Sequence, residues 1–211
     1  MKKGILFDLD GTLWDCSAQA VLSWRESAKK YEDSIKDISV EEIQSVMGKT
    51  MEEIADILFR AIPSKERRME IMNDCCEEEN KYLRKHGGTL FSDVVDTISE
   101  LRKEYHISIV SNCQSGYIES FMAYYKLEQY IDDFESFGDT RNTKGENIKL
   151  VVARNSLDKA IYIGDTQGDY EASAYAGIPF IHARMGYGTV NVKVPYVTTI
   201  KEIPEVVKHN I

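Results

Sequence analysis

The spacing of the hydrophobic residues divides the chain into two parts. From about residue 17 to residue 86, hydrophobic residues recur every three or four positions, which is the spacing of one face of an amphipathic helix. The first such series is Val21, Trp24, Ala28 and Tyr31. After residue 89, short hydrophobic runs alternate with helical patterns. Because strands that alternate with helices of this length usually form a parallel sheet, the pattern predicts an α/β protein with a helical insert.

Capping signals mark where helices of the insert begin. Ser39 and Thr50 are each followed three residues later by glutamate, so each can open a helix with a capping box. The helix after Thr50 is predicted to end at Pro63. Ser64 is predicted to start a long charged helix that ends at Gly87. The insert should therefore consist of helices.

The rest of the chain has the pattern of a doubly wound parallel sheet. A hydrophobic strand over residues 3–8 opens it. Further strands are predicted over 107–110, 134–137, 160–163 and 179–182, and helices over 94–105, 117–125, 145–155 and 170–176. We therefore predict an α/β core of residues 1–16 and 87–211, interrupted by a helical domain of residues 17–86.

The composition argues against several classes of partner. Of the 211 residues, 43% are hydrophobic and 29% are charged, as in an ordinary globular protein, and the net charge is −9. An acidic surface repels nucleic acid and anionic membranes, so we expect neither as a partner. We identify no membrane span or signal peptide, and the four cysteines lack the spacing of a metal site. We expect a cytoplasmic protein with reduced thiols.

Two aspartates directly after the first strand carry the strongest chemical signal. Asp8 and Asp10 follow the hydrophobic run 4–7, and Gly11 then allows a sharp turn. The carboxyl end of a buried strand is where α/β sheets bind ligands. Two carboxylates held there repel each other unless a cation joins them or they share a proton. The pattern therefore predicts that a cation is bound, or that a proton is shared by the two carboxylates, at this end of the sheet.

Four segments resemble, in the same order, the four motifs of the haloacid dehalogenase-like phosphohydrolases. The first is Asp8-Leu9-Asp10-Gly11-Thr12, and the second is Ser111-Asn112 after the strand 107–110. The third is Lys144 at the start of a helix. The fourth is Gly164-Asp165 after the strand 160–163, with Asp169 four residues later. The resemblance covers residues 4 to about 188. It implies a Rossmann-like core with an inserted α-helical cap between the first two motifs, as in phosphoglycolate phosphatases and β-phosphoglucomutases.

The resemblance also implies roles for the acidic residues. Asp8 corresponds to the nucleophile that forms an aspartyl-phosphate, and Asp10 to the acid that protonates the leaving oxygen and then deprotonates water. Asp8, the main-chain carbonyl of Asp10, and Asp165 correspond to the family's ligands of Mg²⁺, which prefers oxygen. Asp169 corresponds to a residue that lies outside the metal's direct ligands or that binds the metal through a water molecule.

Groups that bind phosphate are implied by the first three motifs. By the resemblance, the Ser111 hydroxyl and the main-chain amides of Asn112 and Gly11 bind phosphoryl oxygens. Lys144 balances the charge of the nucleophile and holds a phosphate oxygen. The family usually has proline after this lysine, whereas this chain has glycine, so Lys149 is the alternative.

A loop of the insert is a candidate for substrate recognition. Met47-Gly48-Lys49-Thr50 lies between two capped helices and resembles the specificity loop of related caps, where a glycine lets the loop reach the site. Lys49 would then contact a carboxylate or a second phosphate of the substrate. The alternative is a solvated surface lysine. The stretch 183–188 resembles the Gly-Tyr-Gly segment of phosphoglycolate-phosphatase-like members.

The leading functional prediction is an Mg²⁺-dependent phosphatase that acts on a small phosphorylated metabolite resembling phosphoglycolate. A β-phosphoglucomutase-like enzyme is the alternative, although its fourth motif usually reads Glu-Asp rather than Gly164-Asp165. A phosphonate hydrolase would need a Schiff-base lysine, for which Lys49 is a candidate. A non-catalytic binding protein is disfavoured because every catalytic position is filled, and a dehalogenase because its chemistry does not use Asp10. The sequence leaves open a monomer or a homodimer.

Overall fold

A six-stranded parallel sheet forms the centre of the molecule. The computed structural model describes residues 1–31 and 38–211. The strands of the sheet are β1 (Lys3–Phe7), β4 (His106–Ser111), β5 (Asp133–Ser136), β6 (Lys159–Gly164), β7 (Phe180–Ala183) and β8 (Tyr196–Val197). Their order is β5-β4-β1-β6-β7-β8, and every neighbouring pair is parallel. The predicted α/β class with a doubly wound parallel sheet is confirmed.

Helices flank the sheet and form a separate layer. The helices that accompany the sheet are α5 (Val94–Leu101), α6 (Tyr117–Tyr125), α7 (Phe137–Thr140), α8 (Lys144–Arg154), α9 (Gln167–Ala176) and α10 (Ile203–Asn210). Four more helices, which we call the four-helix insert, are α1 (Ser17–Ala28), α2 (Val40–Val46), α3 (Met51–Leu58) and α4 (Lys65–His86). The insert lies in sequence between the short antiparallel strands β2 (Trp14–Asp15) and β3 (Thr89–Leu90). None of the helices in the described ranges has the length and hydrophobicity to span a membrane.

Alternate side chains of β1 enter two different hydrophobic clusters. Ile5 and Phe7 belong to a cluster that includes residues of α5, α6 and α10, whereas Leu6 belongs to a cluster with residues of α8 and α9. Successive side chains of a strand point to opposite faces, so helices cover both faces of the sheet. A strand that is buried on both faces needs hydrophobic residues at consecutive positions, which is the run seen in the sequence.

The four-helix insert has a hydrophobic cluster of its own. Its members include Trp24, Ile43, Ile54, Met72 and Cys75. Each fully buried hydrophobic side chain contributes about 1.5–3 kcal/mol, so this cluster holds the four helices together. Both predicted capping boxes, at Ser39 and at Thr50, are present. Residues 32–37 of the predicted helical domain lie outside the described residues, as does the side chain of Ala28.

Most predicted elements are present, with ends that shift by a few residues. α3 ends at Leu58 rather than at Pro63, because the chain leaves the helix at Phe59, whose carbonyl accepts a hydrogen bond from the Ile62 amide at 2.8 Å. α5 also ends earlier than predicted. The sequence analysis did not predict β2, β3, β8, α7 or α10. Apart from α10, these elements have two to four residues, which is too short for a hydrophobic period.

Three of the motif segments lie at the carboxyl ends of neighbouring strands. Asp8 directly follows β1, Ser111 is the last residue of β4, and Asp165 directly follows β6. Since β4, β1 and β6 are adjacent and parallel, the three ends meet at one edge of the sheet.

Candidate active site

Three buried aspartates form an acidic cluster at this edge of the sheet. Asp8 and Asp165 come from the ends of β1 and β6, and Asp169 comes from the first turn of α9. One carboxylate oxygen from each lies within 4.8 Å of the others. All three side chains are buried. We call these residues the acidic cluster.

Lys144 supplies a positive charge to the acidic cluster. Its Nζ lies 2.6 Å from Asp169 Oδ1 and 3.0 Å from Asp8 Oδ1. Burial by itself lowers the pKa of Lys144, but the two carboxylates outweigh burial and raise it, so the side chain is charged. Lys149, the alternative from the sequence, instead has its Nζ 3.9 Å from the centre of the Tyr175 ring. The structure thus brings Lys144, and not Lys149, into the cluster.

Among the described residues, Asp165 Oδ1 has no hydrogen-bond donor, and Asp8 Oδ1 has only the Lys144 ammonium group beside it. Asp165 Oδ2 accepts hydrogen bonds from the amides of Tyr187 at 2.8 Å and Gly188 at 3.1 Å, whereas its Oδ1 accepts none. Asp8 Oδ1 is buried and lies 3.0 Å from Lys144 Nζ, with which it forms an ion pair. Burial, then the charge of Asp169, raises the pKa of Asp165 to about 7, and the same two causes raise the pKa of Asp8. Buried oxygens of this kind fit a bound cation, which would stabilise their ionised forms.

Both carboxylate oxygens of Asp169 accept hydrogen bonds. Its Oδ2 accepts hydrogen bonds from the Thr166 amide at 2.9 Å and the Thr166 hydroxyl at 2.7 Å, which makes it part of the capping box of α9. Its Oδ1 accepts the hydrogen bond from Lys144. Both oxygens therefore already have donors. This arrangement suits a residue that positions Lys144 and the start of α9.

The Asp10 carboxylate is held separately, by three donors that converge on Oδ1. Trp14 Nε1 lies at 2.9 Å, Tyr117 Oη at 2.8 Å and Cys16 Sγ at 3.2 Å from this atom. Burial raises the pKa of Asp10, and these hydrogen bonds lower it in part. Sequence reasoning missed all three donors. Tyr117 gave no signal, because it is 107 residues away in sequence and comes from α6.

Gly11 allows a close approach between the first motif and Asp165. Its φ is +73°, and a Cβ atom on it would lie 2.5 Å from Asp165 Oδ2. Its amide, expected from the sequence to bind a phosphoryl oxygen, donates instead to the Trp14 carbonyl at 2.9 Å. That donor is therefore already used within the loop. The structure gives Gly11 a steric reason to be glycine.

The second motif contacts the loop of the four-helix insert. Asn112 Nδ2 donates to the Gly48 carbonyl at 2.8 Å. Gly48 has a φ of +81°, and a Cβ atom on it would lie 3.3 Å from Thr166 Cγ2, next to the fourth motif. The loop that contains Lys49 thus lies against the core at the candidate site, as the sequence analysis expected.

A cavity of about 40 Å³ lies between the four-helix insert and the core. On the core side its wall includes Asp10, Ser111 and Asn112, and on the insert side it includes the exposed Lys49 and the buried Glu79. Sequence reasoning missed Glu79. A signal was present, because this acid lies in the hydrophobic series of α4 that also contains Met72, Cys76 and Leu83.

Comparison with known families agrees with this arrangement. The sequence model described as "Haloacid dehalogenase-like hydrolase" matches residues 5–183, which include all four motifs. The chain belongs to the haloacid dehalogenase-like hydrolase family. The resemblance drawn from the motifs is thereby confirmed, and the protein is a hydrolase of this family.

Curated relatives in this family cover nearly the whole chain. A phosphoglycolate phosphatase from Aquifex aeolicus is 25% identical over 198 residues, which is 90% of this chain and 89% of the relative. A phosphoglycolate phosphatase from Salmonella typhimurium is 23% identical over 210 residues, 88% of this chain and 82% of the relative.

Solved structures support the fold independently. A haloacid dehalogenase-like family hydrolase from Streptococcus pneumoniae superimposes with a TM-score of 0.81 at 21% identity, and the match covers 98% of each chain. This likeness shows that the two chains share a fold.

Proposed function

We propose that this hydrolase is an Mg²⁺-dependent phosphatase that cleaves a small phosphomonoester, of about the size of phosphoglycolate, through an aspartyl-phosphate on Asp8. One observation carries the proposal: Asp8, Asp165 and Asp169 cluster with Lys144 at the carboxyl edge of the sheet, and Asp165 Oδ1 has no donor among the described residues. The family match and the phosphoglycolate phosphatase relatives support the same reaction class.

Asp8 is our proposed nucleophile. A carboxylate can attack phosphorus and divide one difficult displacement into two easier steps. It must be ionised to do so, and burial opposes ionisation. Lys144, at 3.0 Å from Oδ1, favours the ionised form. Lys144 and the Ser111 hydroxyl would also stabilise negative charge on the phosphoryl oxygens.

Asp10 is our proposed general acid and base. Three hydrogen bonds fix its Oδ1, so the carboxylate has a single orientation. Its side chain faces the cavity in which a leaving group would lie. We propose that Asp10 protonates the leaving alkoxide in the first step and takes a proton from the attacking water in the second.

The residues present fit a Mg²⁺ ion. We propose that Asp8, the Asp10 carbonyl and Asp165 hold it, while Asp169 acts from an outer position because its oxygens are already engaged. When bound, the ion would reduce the repulsion between the Asp8 carboxylate and an anionic phosphate. Asp165 would be kept in orientation by the amides of Tyr187 and Gly188.

We further propose that residues 17–86 act as a cap over a core of residues 1–16 and 87–211. The contact between Asn112 and Gly48 and the cavity beside it support this proposal. A cover of this kind would exclude bulk water while phosphate is transferred.

The test is phosphate release from a panel of small phosphorylated metabolites with and without Mg²⁺. We expect release from a few small esters, and a fall of about 10⁴-fold or more in the Asp8→Asn variant, because the nucleophile is lost. Asp96→Asn, an exposed aspartate of α5, is the matched control and should keep full activity. Undiminished release by Asp8→Asn would refute the mechanism. Isomerisation of a sugar phosphate that depends on a bisphosphate would favour the mutase instead.

A further inference from the structure

Glu79 is a buried acid in the cavity that the proposed reaction does not use. It comes from α4 and is 4% exposed. Its Oε2 accepts hydrogen bonds from Gln114 Nε2 at 3.0 Å and Trp24 Nε1 at 3.2 Å. Its Oε1 accepts none from the described residues. A carboxylate oxygen in a buried cavity is stabilised when a ligand supplies the missing donor.

Asn112 also lines the cavity. The hydrogen bond from its Nδ2 to the Gly48 carbonyl assigns the nitrogen and the oxygen of the side-chain amide. Its Oδ1 has no hydrogen-bond partner among the described residues, but protein atoms enclose it. Of these two residues of the cavity wall, it is therefore Glu79 that offers an acceptor to a ligand.

The rest of the cavity wall strengthens the electrostatic interaction between Glu79 and a ligand. On the insert side it is formed largely by hydrophobic residues, among them Ala20, Ile43, Val46, Met47 and Ile54. Charges interact more strongly beside such residues than in water. In its ionised form Glu79 would repel a carboxylate on the substrate, whereas a hydroxyl or ammonium group would donate a hydrogen bond to it.

The size of the cavity limits the leaving group. One water needs about 10–15 Å³ of such space, so a cavity of about 40 Å³ has room for only a few non-hydrogen atoms. This is the size of a two- or three-carbon alcohol with one polar substituent.

We propose that Glu79 selects phosphate monoesters whose leaving alcohol carries a second hydrogen-bond donor, a hydroxyl or an ammonium group, over esters whose leaving group ends in a carboxylate. This inference rests on the proposed phosphatase function and specifies its substrate class. Glu79 acts as a specificity residue on the insert side, while Asp10 acts on the ester oxygen.

The test compares four esters that share a two-carbon skeleton: ethyl phosphate, 2-hydroxyethyl phosphate, 2-aminoethyl phosphate and phosphoglycolate. We expect kcat/KM for the hydroxyl and amine esters to exceed that for ethyl phosphate by about tenfold, the effect of one hydrogen bond to a charged group, and phosphoglycolate to be the poorest. A larger gain for the amine would show that charge is recognised, and equal gains that the hydrogen bond suffices. Either result supports the proposal.

Two variants separate recognition from a merely structural role. In Glu79→Gln the preference for the amine ester over ethyl phosphate should fall toward onefold, because the charge is lost. Glu77→Gln, an exposed glutamate on the same helix, should keep the preference. If Glu79→Gln lowers kcat/KM for all four esters by the same factor, Glu79 only supports the structure and the proposal fails.

Binding measurements test the selectivity of Glu79 separately from phosphatase activity. The dissociation constants of the four esters are measured by calorimetry in the Asp8→Asn background, with and without Glu79→Gln. Absence of phosphate release by the wild-type protein would refute the phosphatase proposal, yet the order of these constants would still test Glu79. Equal binding of all four esters, or tightest binding of phosphoglycolate, would overturn the inference.

Discussion

The core side and the insert side of the site are built from different kinds of residue. On the core side, the acidic cluster and Lys144 lie at strand ends and helix starts, where main-chain amides and ion pairs hold them. On the insert side, hydrophobic residues from α1, α2 and α3 line the cavity together with one acid of α4, Glu79, and the exposed Lys49 borders it. In our proposal, the core carries the groups for phosphate chemistry, whereas the insert carries the groups that select the leaving alcohol.

The two sides also differ in how negative charge is compensated. Asp8 and Asp169 each lie within 3.0 Å of the Lys144 ammonium group. Glu79 has only the neutral donors Gln114 and Trp24, and burial raises its pKa to about 7. Changes on the core side should therefore alter the reaction itself, and changes on the insert side should alter stability or substrate preference.

After the loss of the nucleophile in Asp8→Asn, the largest effect is expected from removing the cation of the core side. Lys144→Met should lower kcat by about 10²–10³-fold, because a fixed charge that stabilises the phosphoryl oxygens is lost. The free energy of unfolding should fall by about 3–5 kcal/mol, since buried carboxylates lose their partner. Steady-state kinetics and urea unfolding measure the two effects. Lys149→Met is the matched control, because the Lys149 ammonium group lies over the Tyr175 ring rather than in the acidic cluster. Inactivation by Lys149→Met with activity retained in Lys144→Met would reverse the assignment.

The next effect concerns the metal. Asp165→Ala should weaken Mg²⁺ binding by about 100-fold or more, since its unpartnered Oδ1 would no longer be available. Titration calorimetry with Mg²⁺ alone measures this without any turnover. Asp96→Ala, on the surface of α5, serves as the control. Equal Mg²⁺ affinity in Asp165→Ala and the wild-type protein would contradict the proposed ligand set.

On the insert side, the pH dependence of stability should report Glu79. Its pKa is about 7 in the folded protein and about 4.3 in an unfolded chain, so between these values the unfolded state releases a proton that the folded state keeps. Raising the pH from 4.3 to 8 should therefore destabilise the wild-type protein by about 3 kcal/mol relative to Glu79→Gln. Urea unfolding at several pH values, with Glu77→Gln as the control, measures the difference. Parallel curves for Glu79→Gln and wild type would show that Glu79 does not titrate in this range.

The smallest effect is expected from the exposed lysine of the loop. Lys49→Ala should raise KM by about two- to fivefold for the true substrate, because an exposed charge contributes about 1 kcal/mol or less. KM values for a panel of esters are compared with those of Lys65→Ala, an exposed lysine at the start of α4. A uniform change for every ester, or none, would remove Lys49 from substrate recognition.

The sequence by itself determined the features that depend on local order. Two aspartates after a hydrophobic run, glycine after the second one, and glutamate three residues after Ser39 and Thr50 are local patterns, and the structure contains the strand end, the turn and the capping boxes that they predict. Strand and helix periods likewise predicted the α/β class, since they follow from backbone geometry.

Only the tertiary structure decided which distant residues meet. It placed Lys144 rather than Lys149 beside Asp8, directed Tyr117 to Asp10, and put Glu79 in the cavity wall. These pairings depend on how helices pack against the sheet and on which face of each helix points inward. Spacing along the chain gives the period of a helix, but the partner of its inward face is set by packing between elements far apart in sequence.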